Sequence, residues 1–242
     1  PNLDPNGPEP LMEFALVSTL NGVIYGLLLF MVSAGLTLIF GMMGVLNFAH
    51  ASFYMLGAYV AFAVSSVFGF WAGLLAAPIV VAVFGFGVER FLLRRVHAYG
   101  HAHELLLTFG LALIIEELIK LFFGDFPVNY QMPDQLRFAA FTIFGTDYPF
   151  YRIFIGAVAV VMFVALWLML SRTRIGTALS AIGMNEESVR GCGLNTTKLK
   201  LFAFMVSACV AGIGGAFYVH YLGSIAPRAL FDINFLFSIV VA

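Results

Sequence analysis

FYRIFIGAVAVVMFVALWLML (150–170), SRTRIGTALSAIGMNEESVRGCGLNTTKLK (171–200) and LFAFMVSACVAGIGGAFYVHYL (201–222) follow one another without a gap. Two long apolar runs thus enclose a loop that carries Arg172, Arg174, Arg190, Lys198 and Lys200. A bilayer core about 30 Å thick is crossed by roughly 20 helical residues, which is the length of each run. The same reading extends outward to Phe14–Phe40, Ser52–Phe68, Trp71–Val88 and Leu105–Phe123. Pro78 inside the third of these is tolerable where neighbouring helices satisfy the freed carbonyl. The final stretch, Ile233–Ala242, is apolar but covers only half a crossing.

Composition agrees. The chain is 62% hydrophobic and 10% charged, against about 25% charged in an ordinary soluble domain. The expected fold is all-α, a polytopic transmembrane helical bundle of at least six to seven spans. Pro1, Pro5, Pro8 and Pro10 make residues 1–12 a flexible leader without the basic region of a signal peptide. The membrane domain then occupies 13–242. A start at Pro1 and a half-span at the end lead us to expect that the domain is incomplete at its C-terminus.

Short loops rich in Lys and Arg stay on the cytoplasmic side. Arg90, Arg94 and Arg95 after the third span, and the 171–200 loop, are therefore both expected inside. The segment 124–149 holds Asp125, Asp134, Asp147 and only Arg137, and the N-terminal tail is acidic, so both are expected outside. Were Gly41–Ala51 a re-entrant excursion, the count before Arg90 would change and the N-terminus would move inside. Cys192 and Cys209 fall in different environments, and a disulfide is not indicated.

Catalytic chemistry has no visible machinery. HExxH, GxSxG and GxxxxGK[ST] are all absent, so no catalytic residue, cofactor or nucleic-acid partner is expected. His97, His101 and His103 have spacing a metal site could use, but a solvated polar loop explains them as well, and no metal is assigned. Glu116 and Glu117 are the paired acids near a span. An intramembrane carboxylate suggests a proton relay, while Glu116 followed four residues later by Lys120 suggests a helical ion pair.

GLTLIFGMMGVLNFAHASFYMLGAY (35–59) departs from generic membrane helix. Gly41 and Gly44 each lower helix propensity by about 1 kcal/mol relative to alanine, and Asn47, His50 and Ser52 then bring polar groups next to apolar spans. Transporters bind substrates at such broken helices, so these five residues are candidates for a translocation pathway. An ordinary turn with His50 as a packing residue is the alternative. Small residues at four-residue spacing, Gly22 with Gly26, Gly69 with Gly73, and Ser207, Ala211 and Gly215 beside Gly212, let backbones approach closely in lipid. Within the 171–200 loop, Ala178, Ala181 and Ile182 recur at helical spacing. Asn185–Arg190 makes a polar helical turn that Gly191 and Gly193 end.

Taken in order, the 35–59 segment, ERFLLRRVH (89–97), the 171–195 loop and the small-residue span LFAFMVSACVAGIGGAFY (201–218) resemble the permease subunits of branched-chain amino acid ABC importers. The resemblance implies a subunit that provides part of a translocation pathway for branched-chain or other small amino acids in a bacterial inner (plasma) membrane. It implies pairing with a homologous second permease or a second copy. Two cytoplasmic ATP-binding subunits and a periplasmic or extracellular substrate-binding protein complete the assembly. Glu187 with Gly193 six positions on resembles the family's coupling motif, with Ser188 and Val189 where that motif prefers alanine. Asn185, Glu186, Glu187, Arg190 and Gly193 are then expected at the ATPase contact. Look-alikes serve urea and amides. A stand-alone secondary transporter or channel using Glu116 and Glu117 is the reading from another class, and a structural partner without a pathway is a third.

Overall fold

The computed structural model describes residues 8–44, 47–129, 136, 138–143 and 146–227. Its helices are α1 (Pro8–Met43), α2 (Ala49–Phe68), α3 (Phe70–Val88), α4 (Arg94–Val96), α5 (His101–Phe123), α6 (Phe150–Arg172), α7 (Arg174–Met184), α8 (Glu186–Gly191) and α9 (Thr196–Leu222). A π turn, Glu89–Leu93, joins α3 to α4, and a 3₁₀ turn, His97–Tyr99, joins α4 to α5. Four short strands, β1 (Val128–Asn129), β2 (Ala139–Ile143), β3 (Thr146–Pro149) and β4 (Ser224–Ile225), pair antiparallel as β1 with β4 and β2 with β3.

Among the described residues, five stretches are long and apolar enough to cross a membrane: Phe14–Gly41, Ala49–Phe68, Phe70–Tyr99, Phe150–Arg172 and Thr196–Tyr221. The remaining expected span, the fourth at Leu105–Phe123, falls in α5, which is 23 residues long but carries Glu104, Glu116, Glu117 and Lys120, so composition alone does not mark it. The half-span 233–242 lies outside the described residues, as does the leader up to residue 7. Helix α1 runs into the leader expected at 1–12, because prolines are harmless there. Pro8 and Pro10 fall in the first turn, whose N–H groups have no intrahelical acceptor.

Helix α9 is the axis of the bundle, and its small side chains explain why. A Cβ on Gly215 would lie 1.9 Å from the Tyr54 carbonyl oxygen, and one on Gly57 would lie 2.6 Å from the Gly212 Cα. A Cβ on Gly212 would sit 3.0 Å from the Pro78 Cα, so α2 and α3 both rest on the α9 backbone. Ser207 and Ala211 are fully buried in the same surface. Gly73 belongs to a second close approach, its Cβ position 2.6 Å from the Ala61 oxygen, while Gly69 makes the α2–α3 turn with φ +87°. Gly22 and Gly26 face open space instead. Identical spacing on α1 and α9 therefore has different outcomes.

Contacts along α9 fix the helix directions. Gly35 meets Ser207 and Tyr25 meets Tyr221, so α1 runs antiparallel to α9. His50 meets Ser207 and Ala61 packs with Ala216, so α2 runs parallel to it. Phe70 lies against His220 and the Gly85 backbone faces Ala208, so α3 is antiparallel. Helix α5 accompanies α2 in parallel through Phe48–Phe109 and Tyr59–Phe123. Helix α6 accompanies α1 through Gly156 against Ile24 and Leu27, then Phe163 against Phe30. Both basic segments thus lie at one end of the bundle. The start of α1, the described residues of the 124–149 segment and the strands lie at the other. Cys192 is exposed at the basic end and Cys209 is half-buried within α9. A membrane-impermeant maleimide is expected to label Cys192 only from the side of the basic loops and to leave Cys209 unmodified. Labelling of Cys192 in right-side-out vesicles would reverse the orientation.

Candidate functional site

The break between α1 and α2 lies inside the bundle. Gly44 leaves α1 at φ +66°, a conformation that costs other residues about 1–2 kcal/mol. Three residues later Asn47 is already buried, and its Oδ1 accepts from the Ala49 N–H at 3.0 Å. His50 is completely buried and its Nε2–H donates to the Val32 carbonyl at 3.0 Å. The ring lies where a Cβ on Gly35 would stand, 2.7 Å from Cε1, so glycine is required there. Gly35 is eight residues before Met43, or about 12 Å of helix, so α2 begins about that far short of the end of α1. Helix α2 thus starts within the bundle yet still runs to the opposite end. The start of α1 therefore lies at the end away from the basic loops.

Ser207 from α9 closes the cluster. Its hydroxyl donates to the Gly35 carbonyl at 2.7 Å and its oxygen lies 3.4 Å from His50 Nδ1. Ser52 donates to the Ala112 carbonyl of α5 at 3.3 Å. Asn47 Nδ2 is a buried donor with no hydrogen-bond partner. Four helices thus meet at Asn47, His50, Ser52 and Ser207. Gly41 and Gly44 are exposed and stand apart. Gly41 borders a largely apolar cavity of about 400 Å³ between α1, α6 and α7, with Thr37, Trp167 and Ser180 on its walls.

The 171–200 loop is built from three helices because three side chains cap them. Thr173 Oγ1 accepts from the Gly176 N–H, Asn185 Oδ1 from that of Ser188, and Asn195 Oδ1 from that of Lys198, each at 3.0 Å. Such caps each stabilise a helix by about 1 kcal/mol. Helix α7 buries Gly176, Leu179 and Ile182, which carries the periodicity read from Ala178, Ala181 and Ile182 onto a neighbouring face. Gly176 sits so close to the end of α6 that its Cβ would lie 2.2 Å from the Leu170 oxygen. Helix α8 ends where Gly193 takes φ +82° and donates to the Arg190 carbonyl at 3.0 Å.

Glu187 and Arg190 are exposed on α8, while Glu186 turns inward to Lys200 at 2.6 Å and to Arg190 at 3.0 Å. Partial burial pushes the Glu186 carboxyl up, but the hydrogen bonds and charge of Lys200, with Thr196 and Arg190, hold it below the usual carboxylate range. A lowered folded pKa means that the contact is fully present at neutral pH and is lost only as pH falls through that lowered value.

Sequence reading did not find the partners of the histidines. His97 Nδ1 bonds Glu104 Oε1, its Nε2 faces Lys200 Nζ at 3.3 Å, and His103 packs at a tilt beside Tyr99. Among the described residues no group of three His, Cys, Asp or Glu is placed to hold a metal. Lys120 Nζ lies 2.9 Å from Glu116 and 2.8 Å from Glu117. Arg152 donates to Asn21 Oδ1 at 2.5 Å and stands over the Tyr148 and Tyr221 rings. This aromatic anchor at the acidic end was legible only as scattered polar residues.

A bundle of apolar helices packed around α9, with capped amphipathic helices on its basic end, fits a multi-pass membrane permease. The chain belongs to the family described as "Branched-chain amino acid transport system / permease component", which it matches over residues 18–242. It is 23% identical over 230 residues to the high-affinity branched-chain amino acid transport system permease protein BraD of Pseudomonas aeruginosa, covering 90% of this chain and 75% of that one. The LivH permease proteins of Salmonella typhimurium and Escherichia coli K12 are each 24% identical over 226 residues, covering 88% of this chain and 73% of theirs. No solved structure matches the chain. The family is one of transport subunits, not of enzymes.

Proposed function

We propose that this chain is a permease subunit of an ATP-driven importer of branched-chain or other small amino acids in a bacterial inner membrane. It pairs with a homologous permease or a second copy and receives substrate from a binding protein at its acidic end. Two ATP-binding subunits dock at its basic end. The observation that carries this reading is α8: a short, twice-capped helix that exposes Glu187 and Arg190, the latter held by Glu186, while Glu186 also ties it to α9. ATP-driven closure of the docked subunits pushes on Asn185–Gly193, and rocking of the bundle opens a path beside the broken helix at Asn47, His50 and Ser52. The exposed face of α1 at Gly22 and Gly26 suits the second permease. A stand-alone ion-coupled carrier fits less well, because Lys120 already pairs with both Glu116 and Glu117.

Gly193→Ala strains the end of α8 by about 1–2 kcal/mol, and Glu187→Ala removes an outward carboxylate. In vesicles holding the whole importer, both are expected to lower leucine uptake per ATP hydrolysed by about fivefold or more while the helices stay folded by circular dichroism. Uptake per ATP equal to wild type in both variants refutes the docking role of α8. Uptake that needs no ATP refutes the importer reading itself.

A further inference from the structure

Beneath the broken helix, four residues from four elements form one chain of contacts. Lys200 of α9 donates to Glu186 of α8 at 2.6 Å and reaches His97 Nε2 of the 3₁₀ turn at 3.3 Å. His97 in turn bonds Glu104 of α5 through Nδ1. An ammonium has no lone pair, so Nε2 must accept and the ring proton sits on Nδ1, aimed at the Glu104 carboxylate. Donation thus runs outward from Lys200, to Glu186 on one side and through His97 to Glu104 on the other.

Glu104 and Lys200 are 1% and 8% exposed, a depth at which a charge without its partner is strongly destabilising. The chain is stiff for that reason: no member can move away alone. Glu104 Oε2 is buried without a hydrogen-bond partner, and His101 Nδ1 lies 3.9 Å away. A void of about 80 Å³ bordered by Glu89, Arg94, His97, Glu186, Arg190 and Lys200 lies beside the other end of the chain. The π turn Glu89–Leu93, a winding that recurs at functional positions in helices, forms part of its wall.

Helix α5 carries the connection upward. Ala112 lies eight residues beyond Glu104, about 12 Å along the helix. Its carbonyl accepts from Ser52, and Phe109 packs edge-on against Phe48 at 6.1 Å between ring centroids. We propose that Lys200, His97 and Glu104 are positioning residues that transmit displacement of α8 to the broken helix by way of α5. The proposal rests on the reading of α8 as the ATPase contact.

The test uses the complete importer in vesicles, with radiolabelled leucine as probe, measuring uptake and ATP hydrolysis together. Glu104→Leu removes the acceptor of His97 Nδ1–H, and Lys200→Met keeps the stem without the charge. Each is expected to lower uptake per ATP by about fivefold or more while hydrolysis continues, and Lys200→Arg is expected to restore it. The double variant should lose no more than the worse single one, since one broken link interrupts the whole chain. Melting temperature of the purified assembly is read alongside. Unchanged uptake per ATP in both single variants, losses that multiply in the double variant, or losses that follow melting temperature alone each overturn the proposal. If wild type itself shows no ATP-driven uptake, the importer reading fails first.

Discussion

Gly215→Ala is expected to prevent accumulation of folded protein. The added methyl would sit 1.9 Å from the Tyr54 carbonyl oxygen and 3.0 Å from the Ala58 nitrogen, both backbone atoms in the middle of α2. Neither has a side-chain torsion with which to retreat. Relief requires prising α2 away from α9, which also opens the Gly57–Gly212 approach and the Phe53–Phe204 contact on the same face. Ordinary overpacking costs about 1–3 kcal/mol, and a clash between two helix backbones exceeds that range. Gly26→Ala is the matched control, because nothing lies within 4 Å of its Cβ position. Yield and melting temperature in detergent should collapse for the first and stay at wild type for the second. Normal yield of Gly215→Ala contradicts the packing of α2 on α9.

His50→Ala is expected to be nearly as damaging, for a different reason. The Val32 carbonyl keeps its intrahelical bond, so the loss is chiefly the space of a completely buried ring. Aromatic-to-alanine changes in cores cost about 3–5 kcal/mol. His50→Phe refills the volume without the Nε2–H and should recover most of the melting temperature. If the cluster at the break lines the pathway, the phenylalanine variant recovers stability but not uptake. Recovery of both makes His50 a packing residue only.

The spans were legible because the bilayer imposes their length, and the basic loops because charge is costly within it. The three helices of the 171–200 loop were legible in part: Asn185 and Gly193 mark the ends of α8 by local chemistry that needs no tertiary partner. The depth of the break was not. Gly41 and Gly44 announce an interruption, but its position 12 Å or so within the bundle is set by His50 fitting against Val32 and Gly35, a match between residues on different helices. For the same reason the stripe at Gly22 and Gly26 could not be told from that at Ala211 and Gly215. Spacing describes one surface, and packing needs two. Lys200 was readable as a loop charge facing water, whereas its burial follows from Glu186 and His97, 14 and 103 residues away.

The pairing of β1 with β4 has a consequence for the outward end. Val128 and Asn129, just past the tip of α5, are hydrogen-bonded in register to Ile225 and Ser224, just past the tip of α9. These two helices are also bridged at their basic ends by His97 and Lys200. They behave as the uprights of a ladder with a rung at top and bottom, so a sideways lean of one obliges the other to lean with it. Motion that begins at the basic end then surfaces on the opposite face as a shift of the whole frame rather than a local flutter.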